Sequence, residues 1–203
     1  MIKIDVVDNG GQWTHREWRV LKYCGVDSTI IPNTTKVQDI KCDGLLLSGG
    51  APRIAWEAPK LGETETYLDQ LNIPMLGMCL AHQFIALHYG GEAGPSKVPE
   101  FGHAKLHIDV KDDLFDSVPS ESQVWESHND EIKILPPVLF KLAHSTDCEF
   151  QAIKHQDKPI YGLQFHPEVE QSEYGSRIIK NFVNICRKQN ESLVKQDVGQ
   201  DSN

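Results

Sequence analysis

Between residues 44 and 50 the chain reads Gly-Leu-Leu-Leu-Ser-Gly-Gly, an uninterrupted apolar run through Leu47 that ends abruptly on a serine and two glycines. A strand with one wet face alternates apolar and polar residues, whereas a run of this kind has to be covered on both faces, which is the position of a central strand in a parallel sheet. Residues 2–7 read as a first buried strand ending in the turn Asp8-Asn9-Gly10-Gly11, and residues 74–78 as another. Between them lie a short strand over 28–31, stopped by Pro32, and helix patterns over 14–24 (Trp18, Leu21 and Tyr23 with charges between, closed by Gly25) and 64–71. A further helix over 80–89, closed by Gly90-Gly91, follows the 74–78 strand directly. Strands alternating with helices predict an α/β fold, a doubly wound, mostly parallel sheet flanked by helices.

The second half changes character. Residues 105–110, 123–127, 138–143, 150–153 and 159–165 read as additional strands with few helices between them, and 173–186 as a closing helix with apolar Ile178, Ile179, Phe182, Val183 and Ile185. At 203 residues one domain is expected, over 1–187, followed by a polar C-terminal tail over 188–203 that lacks aromatic residues and is expected to fray.

The formal charge of −9 gives no basic surface of the kind nucleic acid needs, so no nucleic-acid partner is expected. Asp5 and Asp8 interrupt the first apolar stretch, and no run reaches the length of a membrane span, so neither a leader nor a membrane is expected and the protein is placed in the cytoplasm. The cysteines at 24, 42, 79, 148 and 186 are odd in number and contain no CxxC, which fits neither a disulfide framework nor a zinc site, and no metal is expected. Cys24 and Cys186 sit at the ends of apolar helices as small core residues.

Cys79 stands apart. In Met75-Leu76-Gly77-Met78-Cys79-Leu80-Ala81-His82-Gln83 a strand stops, the cysteine follows and a helix begins at once. That is a nucleophile elbow with sulfur in place of a hydroxyl, and Gly77 and Ala81 are the small residues such a close strand-to-helix approach requires. The helix N-terminus favours thiolate, the reactive form. Taken alone, the same segment could also be a buried cysteine in an ordinary turn. His166 follows the 159–165 strand, at the carboxyl edge where open α/β sheets collect their reactive groups. Pro167 stiffens the step to Glu168, so the carboxylate can hold one ring nitrogen while the other faces sulfur. Ser48-Gly49-Gly50-Ala51-Pro52 presents unobstructed N–H groups and is either half of an oxyanion hole or a plain glycine turn; it lacks the continuation of a phosphate loop.

The elbow, the Ser48-Gly49-Gly50 turn and Gln164-Phe165-His166-Pro167-Glu168, in this order and spacing, resemble the class I glutamine amidotransferase family over about residues 2–187. Asp8-Asn9-Gly10-Gly11-Gln12-Trp13, Glu100-Phe101-Gly102-His103-Ala104 and Val124-Trp125-Glu126-Ser127-His128-Asn129-Asp130 resemble the GMP synthetase branch of that family. The resemblance implies Cys79 as nucleophile, His166 as general base and acid, and Glu168 as its orienter. It also implies Gly50 and the Leu80 N–H as oxyanion donors, and Gln83 as a residue that helps hold the glutamine substrate. Where the family usually has glycine this chain has Ala81, which puts the fine geometry of the turn in question. His103 and His128 receive no role, with partner contact and structural hydrogen bonding equally open.

By the same resemblance the chain is a separate glutaminase subunit that hydrolyses glutamine through a cysteine thioester and passes ammonia to an ATP-pyrophosphatase synthetase subunit, which aminates XMP to GMP. ATP and magnesium belong to that partner, and this chain needs no cofactor. A glutaminase of this kind needs an element near the site that responds to the partner, and the 49–52 turn is the expected one. Two other classes stay open: a different acceptor or another cysteine hydrolase, such as a γ-glutamyl hydrolase, and a non-catalytic binding subunit.

Overall fold

The structure is a computed structural model that describes the backbone of residues 2–200 and the side chains of residues 2–192. Along the chain run β1 (Ile4–Asp8), α1 (Thr14–Tyr23), β2 (Ile30–Pro32), β3 (Gly44–Leu47), the single turn α2 (Ile54–Glu57), α3 (Thr64–Gln70), β4 (Met75–Met78) and α4 (Leu80–His88). Then follow β5 (Glu92–Ile108), β6 (Glu121–Ile134), β7 (Leu139–His144), β8 (Ala152–His155), β9 (Ile160–Leu163) and α5 (Gly175–Gln200). Among the described residues they form a nine-stranded sheet in the order β2-β1-β3-β4-β9-β8-β7-β5-β6. Pairing is parallel from β2 to β9 and antiparallel from β9 to β6.

The doubly wound half behaves as the apolar runs require. Within β1, β3 and β4, Ile4, Val6, Leu46, Leu76 and Met78 face one core, with Leu21 of α1 and Ile178, Ile179 and Phe182 of α5. Val7, Leu45, Leu47 and Met75 face the other, with Tyr67 and Leu68 of α3 and Ala81, Ile85 and Ala86 of α4. The two-residue period of a strand sends neighbours to opposite faces, so helices must cover both. At Gly44 β3 and α5 approach closely, since a Cβ there would lie 2.6 Å from Cys186 Sγ.

Several expectations need correction. β5 begins at Glu92, not near 105, because Gly94, Pro95, Pro99 and Gly102 read as loop. The prolines are tolerated because the β5–β6 pairing shifts register between Pro95 and Glu100, so the ladder is broken there already. β6 likewise runs on to Ile134. On α1 the residues turned inward are Thr14, Glu17 and Leu21, whereas Trp18 is half-buried and Tyr23 is 80% exposed. The expected fraying from 188 is not what the structure shows: α5 continues as helix to Gln200. Lys188 pairs with Asp113, and the Asn190 side-chain amide reaches Asp43, so the start of the polar segment is docked on the domain. Residues 201–203 of the expected tail lie outside the described residues.

Candidate active site

The turns after β1, β3, β4 and β9 all open at the carboxyl ends of the parallel strands, where successive crossovers leave a crevice. There they line one cavity of about 370 Å³ with Cys79, Gly49, Gly50, Leu80, Gln83 and His166 on its wall. The antiparallel half adds Ser127 to Asp130 of β6.

Cys79 joins β4 to α4 with φ 46° and ψ −101°, a conformation side-chain-bearing residues rarely adopt. Its N–H donates to the Leu163 carbonyl at 2.7 Å, tying the elbow to β9. The strain follows from crowding around the turn. A Cβ on Gly77 would come within 2.7 Å of Ile85 Cδ1 and 3.0 Å of the Ala81 carbonyl carbon, so strand and helix touch there. Ala81 is itself fully buried, its methyl packed into the second core cluster. As first residue of α4, Leu80 has an N–H without an intrahelical acceptor.

The His166-Pro167-Glu168 turn delivers its pair as the spacing predicts: His166 Nδ1 donates to Glu168 Oε1 at 2.7 Å, with both side chains buried. The other ring nitrogen is thereby free for the thiol beside it. Trp13 packs edge-on against the imidazole at 4.3 Å between ring centroids, and the His166 carbonyl accepts from Ser172 Oγ at 2.6 Å. Burial opposes charge on His166, but the Glu168 carboxylate and the neighbouring Cys79 raise its pKa well above the ordinary value. Burial raises the thiols of Cys24, Cys42 (to about 11), Cys148 and Cys186, so those four stay protonated at neutral pH.

The Ser48-Gly49-Gly50 turn closes the triad from the side of β3. A Cβ at Gly49 would stand 3.5 Å from both Cys79 Cβ and His166 Cε1, and one at Gly50 only 2.6 Å from the Asn9 carbonyl and from Leu80 Cδ2. Neither glycine has a positive φ; Gly50 is required by space, whereas a Cβ at Gly49 would make only ordinary contacts. Ser48 Oγ donates to the Gly49 carbonyl at 2.8 Å, and the Asn9 side-chain amide donates to the Ser48 carbonyl at 3.0 Å. The expected responsive turn is therefore pinned on its Gly49 side.

These features together set the Cys79 sulfur beside a buried imidazole and the Gly49-Gly50 turn, in a cleft sized for a small amide. The family model of class-I glutamine amidotransferases matches residues 5–186. The chain belongs to the class-I glutamine amidotransferase family. Among its relatives, a subunit of glutamine-hydrolysing GMP synthase from Thermoplasma acidophilum is 51% identical over 187 residues, 92% of this chain and 94% of that one. The corresponding GMP synthase chain of Methanocaldococcus jannaschii is 45% identical, over 90% and 97% of the two chains. A solved structure from Thermoplasma acidophilum superposes with a TM-score of 0.91 at 49% identity, covering 95% of this chain and 98% of the other.

Around the triad, this amidotransferase holds residues that its motifs leave without a role. Gln164 Nε2 lies 3.6 Å from Cys79 Sγ, and its Oε1 accepts from Gln83 Nε2 at 3.1 Å. Gln83 also donates to the Asp130 carbonyl at 2.6 Å, so its amide NH2 is engaged with the protein while the side chain still lines the cavity. Arg53 grips the Asp130 carboxylate with Nε (2.8 Å) and Nη2, fastening α2 to β6 across the mouth of the cleft. Gln164, Trp13 and Asp130 stood inside recognisable motifs; Arg53, 77 residues from Asp130 in sequence, carried no signal.

His128 belongs to this wall, with its side chain fully buried. Its Nδ1 donates to the Asp130 carbonyl at 3.0 Å, and its Nε2 lies 3.0 Å from Glu100 and 3.4 Å from Glu126. Burial disfavours the charge, but hydrogen bonds to Glu100 and Glu126 outweigh it and raise His128 to about 10. Burial pushes the Glu126 carboxyl up. Cys148 completes a set of three potential ligands within 4.8 Å of one another. A protonated His128, however, has no lone pair to offer, and the cluster already contains its own cation. Of the two roles left open for His128, structural hydrogen bonding is the one its burial supports. His103 is exposed and stacks edge-on against Trp125 at 5.1 Å.

Proposed function

We propose that this amidotransferase is the glutamine-hydrolysing subunit of a two-chain GMP synthase, supplying ammonia to a separate synthetase subunit. The observation that carries the reading is the 51% identity, over nearly the full length of both chains, to a subunit of glutamine-hydrolysing GMP synthase. Cys79 and His166 in one cleft, with Glu168 holding the imidazole, support the hydrolytic half of it independently.

In this reading the Cys79 thiolate attacks the side-chain amide carbon of glutamine. The N–H groups of Gly50 and Leu80 receive the developing oxyanion; losing one such donor typically raises the barrier by about 3 kcal/mol. Imidazolium His166, held through Nδ1 by Glu168, gives its other proton to the leaving nitrogen, so ammonia departs and a glutamyl thioester remains. His166 then takes a proton from water, the hydroxide oxygen displaces sulfur, and glutamate leaves with Cys79 restored as thiolate. The Gln83–Gln164 pair orients the substrate side of the cleft. ATP and magnesium act on the synthetase subunit, which activates XMP; this chain contributes no cofactor. Among the described residues no helix is long and apolar enough to cross a membrane, which is compatible with the cytoplasmic setting of nucleotide synthesis.

The deciding experiment mixes the chain with its synthetase subunit, ATP, magnesium and XMP, and follows GMP with glutamine or with ammonium as nitrogen donor. Glutamine-dependent GMP formation should require both chains, and ammonium-dependent formation the synthetase alone. Glutamine hydrolysis without any transfer to XMP would overturn the acceptor while keeping the hydrolase.

A further inference from the structure

Glu17 belongs to none of the motifs and has no place in the triad, yet it lines the cleft. α1 carries it one turn beyond Trp13, on the inward stripe Thr14–Glu17–Leu21. The same segment leans on the site at two other points: Trp13 on the His166 ring, and Gly11, where a Cβ would lie 2.5 Å from the Gly49 carbonyl. Glu17 is 1% exposed, and its Oε2 has no hydrogen-bond partner. The groups facing it are Glu168 and His166 from the turn after β9, the Gly49 backbone after β3 and Asp8 at the end of β1. His166 is the one cation in that set, and Glu168 already holds it at 2.7 Å. An ionised Glu17 would be a second buried anion with no cation of its own. Burial first, and then the charge of Glu168, raise its pKa well above the carboxylate range. A leucine at this position would fill the space without an unsatisfied oxygen, so packing alone gives no reason for an acid here.

We propose that Glu17 is a positioning residue whose buried carboxyl backs the Gly49 side of the oxyanion turn and holds that turn in place. The inference rests on reading Cys79 as the nucleophile and the Gly50 N–H as an oxyanion donor. Neutrality matters because thiolate, Glu168 carboxylate and oxyanion already crowd the cleft, and a further negative charge would oppose the step that creates the oxyanion. The ground state of glutamine is an uncharged amide at the reacting end, so Glu17 should influence kcat far more than KM.

The test compares wild type, Glu17→Gln, Glu17→Ala and Cys79→Ala, each assayed for glutamine hydrolysis in complex with the synthetase subunit. Glu17→Gln keeps shape, neutrality and an acceptor oxygen, and should retain kcat within about threefold at pH 7, whereas Glu17→Ala should lose at least about tenfold in kcat with KM changed less than about threefold. An infrared difference spectrum of wild type minus Glu17→Gln at pH 7 should contain the carbonyl band of a protonated carboxyl. A carboxylate band in its place, a Gln variant as slow as the Ala variant, or an Ala variant as fast as wild type would each overturn the proposal. Cys79→Ala separates the two layers: its inactivity alongside any of those outcomes sinks the role of Glu17 alone, and its retained activity sinks the nucleophile on which that role depends.

Discussion

Cys79, the proposed nucleophile, sits at φ 46°, where a side chain is poorly accommodated. A non-glycine residue in such a region carries on the order of 1–3 kcal/mol of strain. Two substitutions separate chemistry from strain. Cys79→Ala should abolish glutamine hydrolysis while leaving the melting temperature near wild type; a residual rate above roughly a few per cent would rule out the cysteine as nucleophile. Cys79→Gly should be equally inactive yet more stable than Cys79→Ala by about 1 kcal/mol, as thermal denaturation of the pair would reveal. His166→Ala should be nearly as damaging as Cys79→Ala, and Glu168→Gln less so, because an orienter is partly replaceable. Ala81 poses the opposite question. Its methyl is buried in the core cluster beside α4, so Ala81→Gly should cost about 1 kcal/mol of stability and change the hydrolysis rate only modestly. A rate gain of roughly a hundredfold in that variant would mean the wild-type elbow is distorted.

At the scale of elements, α5 does more than close the fold. Its first residue, Gly175, sits against the turn that carries His166 and Glu168, and a Cβ there would collide with the Pro167 carbonyl. Gly175→Ala should therefore displace His166 and Glu168 together. We expect a loss of at least about tenfold in glutamine hydrolysis and about 1–3 kcal/mol in stability. A variant with wild-type kinetics would show that the turn is held elsewhere. The far end of α5 should behave differently. Deleting residues 188–203 removes the Lys188–Asp113 pair and the Asn190–Asp43 hydrogen bond, both remote from the cleft. Exposed pairs of this kind contribute little, so the melting temperature should drop by at most a few degrees with hydrolysis unchanged.

For the whole molecule, two buried histidines of opposite character shape the response to pH. Burial drives His82 down to about 3, so it stays neutral and its Nε2 donates to the Phe150 carbonyl at 2.9 Å. Below the ordinary value of 6.5 the unfolded chain takes up a proton there that the fold refuses. Its contribution is thus complete above pH 6.5 and lost toward pH 3, at about 1.4 kcal/mol per pH unit. His128 is raised to about 10, so its contribution is complete below 6.5 and lost as pH rises through 10. Stability measured by denaturant across pH should therefore be highest near 6.5, and His82→Gln should flatten the acid side. An unchanged acid slope in that variant would contradict a buried neutral His82. The cleft itself opens toward α2 and the outer ribbon, where Trp56 (68%) and Phe101 (64%) are exposed. Wasteful release of ammonia argues for a slow isolated chain: hydrolysis should rise at least about tenfold when the synthetase subunit is added with ATP and XMP. Equal rates with and without the loaded partner would defeat the coupling but not the assignment of Cys79.

What the amino-acid sequence determined by itself is local or periodic. The apolar runs at 44–47 and 75–78 can be satisfied only between two layers of helices, and Gly77, Cys79 and Ala81 spell a tight strand-to-helix elbow within a few residues. His166 and Glu168 could be paired on paper because Pro167 stands between them. Tertiary structure alone decided what lies far apart in the chain. It threaded β5 through two prolines because register shifts leave no ladder bond to lose. It enclosed His128 between two carboxylates, one of them 28 residues away. And it turned Glu17, an ordinary charge on an amphipathic helix, toward the triad, since the face a helix buries is chosen by the sheet it packs against.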